Sequence, residues 1–205
     1  MKNYIKINNQ KIKLTDEQVR EIQESFNLKG VKLSDVAVGD TFKVGRYEFI
    51  VLEHTKETTA VILKDLLFDS KQFGINNNFN GSYIDDICKN FENEIAGIIG
   101  KDNLVEHTVD LTSDDGLKDY GKIKRRVSLL TANLYRRYVE TLDKYPVKKW
   151  WWLVTAYSTP KHDNSVWVKC VSPSGRINGH SYDGYGGGGG VRPFCIFSSN
   201  IFVSK

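Results

Sequence analysis

The stretch from Trp150 to Val203 constrains the fold more than any other part of the chain. It opens with three tryptophans and a short apolar run at 150–154, and it closes on a second apolar run at 191–197. Between these runs, residues 175–190 are rich in Gly, Tyr, Asp, His, Ser and Asn. Strands around a long segment of small and polar residues are typical of a β scaffold that displays a loop. The stretch therefore predicts a binding surface and leaves its ligand open.

Composition limits the class of protein. The chain has 205 residues, of which 40% are hydrophobic and 26% charged, and these values are ordinary for a globular protein that buries a core. Its net charge of +4 is spread along the sequence, with one dense basic run at 122–126. A nucleic-acid ligand is not expected, because proteins that bind one usually carry a clustered basic face. The basic run is interpreted as solvated surface, with a patch shared with Lys148 and Lys149 as the alternative.

The sequence contains no recognisable targeting or membrane segment. The residues after Met1 lack the apolar run of a secretory signal, and no stretch approaches the ~20 apolar residues of a membrane span. We therefore expect the chain to have no membrane span and to be cytoplasmic as synthesised. If it acts outside the cell, we expect it to leave by lysis or on a virion.

Periodicity divides the chain into two parts. Residues 1–29 predict a β-hairpin and a short helix capped by Thr15, which form a small N-terminal appendage. Residues 31–205 predict an α+β domain with a meander of strands, two helices capped by Ser82 and Thr131, and a second sheet that holds the loop. The meander strands are expected at 41–44, 47–53 and 58–63, with Phe49, Val51, Val61 and Leu63 pointing inward. The oligomeric state stays open.

Short motifs follow one another in a fixed order through residues 31–203. They lie at 45–52, 60–63, 127–130 and 174–177, and the most specific are Trp151-Trp152-Leu153 and the closing Gly190-Val191-Arg192-Pro193. This order resembles an uncharacterised domain family that is common in Gram-positive gut bacteria and their phages. The family is similar to the C-type-lectin-like fold that sulfatase-modifying factors share with retroelement-diversified receptor proteins. The resemblance implies that fold and a display loop, with no established activity.

The cysteines can be compared with the catalytic thiols of some proteins that have that fold. The sulfatase-modifying relatives oxidise a substrate cysteine with paired, copper-bound thiols near the chain end, whereas Cys195 stands alone there and no CxxC pair includes Cys88 or Cys170. We interpret Cys170 and Cys195 as buried residues on adjacent strands, with a metal or redox pair as the alternative.

No other catalytic or metal site is predicted, and no cofactor is expected. His180, Ser181 and Asp183 have the residue types of a catalytic triad, but a triad draws its members from separate rigid elements. The glycine run at 186–190 lacks the Lys-Ser or Lys-Thr of a phosphate loop, and we expect it to let the backbone pass close to another segment. The histidines show no HxH or HExxH spacing: His54, His107, His162 and His180.

The predicted loop combines aromatic rings with short polar groups. Paratopes favour this mixture, because rings supply contact area at low entropic cost. In an extended segment, Ile177 and Gly179 would point away from Asn178 and His180. A solvated loop without a partner is the alternative. The candidate ligand-binding residues are Arg176, Asn178, His180, Tyr182, Asp183 and Tyr185, with Tyr157 and Trp167 extending the surface.

Two further residues are expected to be structural. Adjacent side chains on a strand alternate between faces, so one or two of the tryptophans at 150–152, including Trp151, should be core and another exposed. A sugar-stacking platform is the alternative for these rings. Arg192, beside Pro193, is expected to reach a buried carboxylate or backbone carbonyls.

Three functions follow as hypotheses. The first is a noncatalytic, phage- or mobile-element-associated binding module that recognises a protein or a glycan through the predicted loop. The second is a phage-encoded intracellular inhibitor of a host defence system, whose partner would be a host nuclease or its nucleotide signal. The third is a thiol- or copper-dependent modifying enzyme, which would need Cys170 and Cys195 together.

Overall fold

The structure is a computed structural model that describes residues 4–7, 10–25, 30–184 and 187–205. Strands β1 (Tyr4–Ile7) and β2 (Gln10–Lys13) pair as an antiparallel hairpin, and helix α1 (Asp16–Ser25) follows. The Thr15 hydroxyl accepts a hydrogen bond from the Gln18 amide at 3.1 Å, and the Thr15 amide donates to the Gln18 side chain at 2.9 Å. This reciprocal capping box begins the helix where the sequence predicts it.

The rest of the described chain is an α+β fold of mostly antiparallel strands, as the sequence predicts. Its helices are α2 (Tyr83–Ile99) and α3 (Ala132–Leu142). Its strands, in chain order, are β3 (Val31–Lys32), β4 (Thr41–Val44), β5 (Tyr47–His54), β6 (Thr58–Leu63), β7 (Phe68–Lys71), β8 (His107–Asp110), β9 (Lys122–Arg125), β10 (Val127–Ser128), β11 (Trp151–Ala156), β12 (Trp167–Val171), β13 (Ile177–Ser181), β14 (Gly189–Val191), β15 (Phe194–Ser198) and β16 (Phe202–Val203).

Both long helices begin at the residues that their N-caps predict, and α2 also ends where Gly100 predicts. The Ser82 hydroxyl accepts from the Asp85 amide at 3.0 Å, and the Thr131 hydroxyl accepts from the Leu134 amide at 3.0 Å. Each bond satisfies an amide that the first turn of a helix leaves without a partner. Gly100 ends α2 with a φ of 83°, a left-handed backbone conformation that favours glycine.

Two five-stranded sheets organise these elements. The first sheet has the order β10-β15-β6-β5-β4 and is antiparallel throughout. The second has the order β13-β12-β11-β14-β7, and its single parallel pair is β11 with β14. A separate pairing of β16 with β3 joins the two ends of residues 31–203. Among the described residues, no helix is long and apolar enough to cross a membrane.

Two of the meander strands, β5 and β6, are buried on both faces, whereas β4 is buried on one. The expected inward residues, among them Phe49 and Val61, lie in the first core, which α2 covers. Ile50 and Ile62 point the other way and lie in a second core, beneath α3. The four expected inward residues are confirmed, and the opposite face of β5 and β6 is buried as well. Both strands are almost continuously apolar, a pattern typical of strands covered on both sides.

The tryptophan run follows the predicted alternation. Trp152 is buried in the first core and Trp151 in the second, on opposite faces of β11, while Trp150 precedes the strand and is exposed. The second sheet therefore also separates the two cores, and its central strand is covered on both sides.

The C-terminal stretch differs from the sequence expectation at two points. The expected closing strand at 191–197 is two strands, because β14 belongs to the second sheet and β15 to the first. Arg192 and Pro193 form the crossover between the sheets. The expected loop is also partly regular, since residues 177–181 form β13 and pair along their whole length with β12.

Candidate binding face

A buried asparagine fixes the loop at 157–166, which connects two of the predicted binding residues, Tyr157 and Trp167. Asn77 is fully buried, and its side-chain amide donates to the carbonyls of Ser158 and Trp167, both at 3.0 Å. Its side-chain oxygen accepts from the Tyr120 hydroxyl at 2.6 Å. A buried amide that is fully paired in this way stabilises its surroundings, whereas an unpaired one destabilises them. Asn77 thereby ties together the two ends of the loop at 157–166.

Tyr157 and Trp167 stand side by side on the outer face of the second sheet. The Tyr157 amide donates to the Trp167 carbonyl at 2.9 Å, and the two residues are 47% and 45% exposed. Gly179 lies between their rings: a β-carbon at this position would be 3.7 Å from the Tyr157 ring and 3.8 Å from the Trp167 ring. Any larger side chain at 179 would occupy the gap. We call Tyr157, Trp167 and Gly179 the aromatic face.

A chain of charges borders the aromatic face. The Lys169 ammonium lies 4.7 Å from the centre of the Tyr157 ring and 2.9 Å from an Asp114 carboxylate oxygen. The other oxygen of Asp114 is 3.2 Å from the Arg136 guanidinium. Burial raises the pKa of Asp114, but the hydrogen bonds from Lys169 and Arg136 outweigh it and hold the pKa below its usual value. The carboxylate is therefore ionised at neutral pH.

A polar cleft begins at Asp114 and continues the surface away from the aromatic face. Its volume is about 540 Å³, and it lies between the first turn of α3 and the segment at 108–116. Five hydroxyl-bearing residues line it, together with two carboxylates and a guanidinium. The polar lining residues are Thr108, Asp110, Thr112, Ser113, Asp114, Thr131, Asn133, Arg136 and Thr155.

A second polar cluster lies on the loop at 157–166. Asp115 accepts hydrogen bonds from the hydroxyls of Ser113 and Ser158, and it lies 3.0 Å from Nδ1 of His162. The two hydroxyl bonds, with that histidine, hold the pKa of Asp115 well below its usual range. The carboxylate stands between the hydroxyl and the imidazole, whereas a triad needs the imidazole in the middle. This cluster therefore orders the loop and does not activate Ser158.

The other predicted binding residues do not share the aromatic face. His180 lies on the opposite side of β13, with its ring edge-on to Trp152 at 5.4 Å, and Asn178 points to the same side. Tyr182 is partly buried against the first core. Arg176 and Asp183 are exposed and lie before and after β13. Tyr185 lies outside the described residues.

Arg192 is buried beneath the sheet crossover. Its Nε donates to the Leu63 carbonyl at 2.9 Å, and its Nη2 donates to the carbonyls of Lys64 and Tyr145 at 2.8 and 3.3 Å. The guanidinium also lies over the Trp151 ring, 5.3 Å from its centre. The arginine thus contacts backbone carbonyls and the ring of Trp151.

The cysteines do not form the arrangement expected of them. Cys170 lies in the second sheet opposite Trp152, and Cys195 lies in the first sheet opposite Val61, so the expectation of adjacent strands was wrong. The sheet crossover after β14 separates them. All three thiols are free and buried, and burial raises the pKa of Cys170 to about 12. Among the described residues, no group of three or more His, Cys, Asp or Glu is placed to hold a metal ion.

Comparison with known proteins gives this arrangement no precedent. No protein-family model matches the chain, and no curated protein or solved structure matches it significantly.

Several residues of the site lay outside the sequence prediction. Alternation along β12 places Lys169 on the same side as Trp167, and this signal is present in the sequence. Gly179 is on that side as well, since it pairs with Lys169. Asp114 and Asn77 lie more than 40 residues from the strands they contact, and no local pattern connects them.

Proposed function

We propose that this protein is a noncatalytic binding module that recognises a protein or a glycan through the aromatic face. The observation that carries the proposal is the pair Tyr157 and Trp167, about half exposed, with Gly179 keeping the gap between their rings open. Rings that are held in place and remain accessible supply contact area at little entropic cost. Asn77 holds these two residues before any ligand binds, and such preorganisation raises affinity.

The polar cleft favours the glycan among the two ligand classes. Lys169 and Asp114 connect the aromatic face to the cleft over a short distance, so one extended ligand would cover both. A polyhydroxylated chain would stack on the rings and exchange hydrogen bonds with the hydroxyls, carboxylates and guanidinium beyond them. A protein ligand would need matching polar groups at each of these positions.

The proposal also includes the fold family, the domain bounds and the phage association that the sequence led us to expect. We propose that residues 31–205 form a C-type-lectin-like domain and residues 1–29 an appendage. The α+β class, the antiparallel strands and the two long helices support that assignment. Association with phages or mobile elements is proposed on the resemblance of the motifs alone.

The test is a capture experiment with two matched double variants. The first, Tyr157→Ala/Trp167→Ala, removes both rings of the aromatic face. The second, Tyr83→Ala/Trp150→Ala, removes one tyrosine and one tryptophan that are 47% and 41% exposed at other places. Each variant and the parent protein would be immobilised and incubated with envelope and cytosol fractions of a Gram-positive gut bacterium. The envelope fraction would be used with and without protease treatment.

The proposal expects capture from the envelope by the parent and the control variant, and loss of capture in the variant of the aromatic face. Persistence after protease treatment would identify a glycan. Equal capture by all three proteins would refute the proposal. Capture of a cytosolic protein, dependent on the aromatic face, would instead support the inhibitor hypothesis.

A further inference from the structure

A small cavity lies at the end of β12 away from Trp167, on the same face of the second sheet, where Val171 lines it. Its volume is about 240 Å³, and it is enclosed by the end of α3, the start of β11 and the turn at 172–175. Polar and apolar residues both line it, and the buried guanidinium of Arg192 lies beside the rings of Tyr135, Tyr145 and Trp151. The residues that line it include Tyr135, Asp143, Val147, Trp151, Ser172 and Arg192.

Asp65 lies near enough to raise the pKa of Arg192, but among the described residues this buried cation has no directly bonded carboxylate. Arg192 is 1% exposed, and it makes no salt bridge with a carboxylate of the described residues. Its bonds to carbonyls use Nε and Nη2, and no described residue accepts a hydrogen bond from Nη1. Desolvation lowers the pKa of the guanidinium to about 10. Buried charges in proteins are normally paired, because burial of an unpaired charge costs several kcal/mol.

We propose that this cavity binds a small carboxylate ligand, which gives Arg192 a directly bonded anion. One carboxylate oxygen would accept from Nη1, and the remainder of the ligand would lie against Trp151 and Tyr135. These two rings already contact each other edge to face at 5.6 Å, so the apolar wall is formed without the ligand. This inference is independent of the aromatic face and of its ligand.

The rim of the cavity selects among carboxylates. Asp143 is exposed there, with one oxygen 3.2 Å from where a β-carbon at Gly175 would lie. A second negative charge on the ligand would be repelled by this carboxylate, whereas an ammonium group would be attracted. The site therefore favours a zwitterion of the amino-acid class over a simple carboxylate, and both over a dianion such as inorganic phosphate.

Tryptophan fluorescence tests the proposal directly, because the guanidinium lies over the Trp151 ring. The full chain would be titrated with sodium acetate, glycine and sodium phosphate, each against sodium chloride at equal ionic strength. We expect a saturable change with acetate, saturation at lower concentration with glycine, and no saturation with phosphate or chloride. Responses to acetate and glycine that equal the chloride response would overturn the proposal.

Three variants separate binding from folding. Val147→Trp places a ring at the mouth of the cavity without touching Arg192, and it should abolish saturation while the circular dichroism spectrum is kept. Arg192→Lys, where it folds, should weaken acetate binding by roughly tenfold or more, because an ammonium cannot keep the three carbonyl bonds and also reach the ligand. Asp143→Asn should remove the advantage of glycine over acetate. Unchanged binding in Val147→Trp would place the ligand elsewhere, and an unchanged advantage in Asp143→Asn would refute the preference for amino acids.

Discussion

Protonation of His107 should limit the stability of the protein at mildly acidic pH. The ring is largely buried in the first strand of the β8–β9 hairpin, 3.0 Å from the Ser128 hydroxyl and edge-on to Phe194 at 5.3 Å. Burial lowers the pKa of His107 from 6.5 to about 4. Glu106 and the Val105 backbone favour the charged form, while Lys124 opposes it, and desolvation outweighs them all.

The sign and size of the effect follow from linkage. Between the unfolded pKa of 6.5 and the folded pKa of about 4, the unfolded chain binds a proton that the folded chain does not. The free energy of unfolding therefore falls as the pH falls through this window. The shift corresponds to about 3 kcal/mol in total, of which roughly 2 kcal/mol is lost between neutral pH and about pH 4.5.

Urea denaturation at a series of pH values above about pH 4.5 would measure this loss. That range lies above the unfolded pKa values of Asp85 and Asp114, whose folded pKa values are lowered and whose contributions are lost only at lower pH. The parent protein should lose stability across the range, and His107→Gln should lose much less. Equal slopes for the two proteins would refute the assignment to His107, and a flat profile for the parent would refute the shift itself.

Three further substitutions test the fold and the face. Asn77→Ala leaves two carbonyls and a hydroxyl without their buried partner, and should lower the free energy of unfolding by about 2–4 kcal/mol in urea denaturation and weaken ligand capture. Gly179→Leu should fill the gap between the rings and abolish capture with a change in melting temperature of only a few degrees, because this glycine has no positive φ. Arg125→Met should cost about 2–4 kcal/mol by the same denaturation assay, because the fully buried Asp85 carboxylate loses two guanidinium bonds of 2.7 Å while it keeps Lys89 and the Gly81 amide as partners. A loss below about 1 kcal/mol would contradict this.

Local signals predicted the helices and most strands. Thr15, Ser82 and Thr131 are caps that act on residues three positions away, so their effect is contained in a short window of sequence. The alternation within 177–181 was likewise predictable, because it depends only on the strand itself. Burial on both faces of β5 was missed, because it depends on where α3 packs.

Long-range pairing explains the remaining differences. The run at 191–197 is continuous in sequence, yet Val191 pairs with Phe68 in one sheet and Phe194 pairs with Ile62 in the other. Pro193 within the run is a local signal of a break, because proline cannot donate to a strand ladder, but it does not show which sheet each half joins. Arg192 stabilises the crossover by donating to carbonyls at 63, 64 and 145, all distant in sequence.

The glycine run shows why fold and recognition are separable in the C-terminal stretch. A β-carbon at Gly189 would lie 2.6 Å from the Trp152 ring, and one at Gly190 would lie 2.5 Å from Leu66. These glycines let β14 insert between β11 and β7, as the expectation of a close approach requires, so they are structural. The rings of Tyr157 and Trp167 are held instead through backbone carbonyls and amides, which substitution of their side chains leaves intact. Loss of ligand capture on removing those rings would therefore report on recognition, whereas substitution within the glycine run would report on the fold.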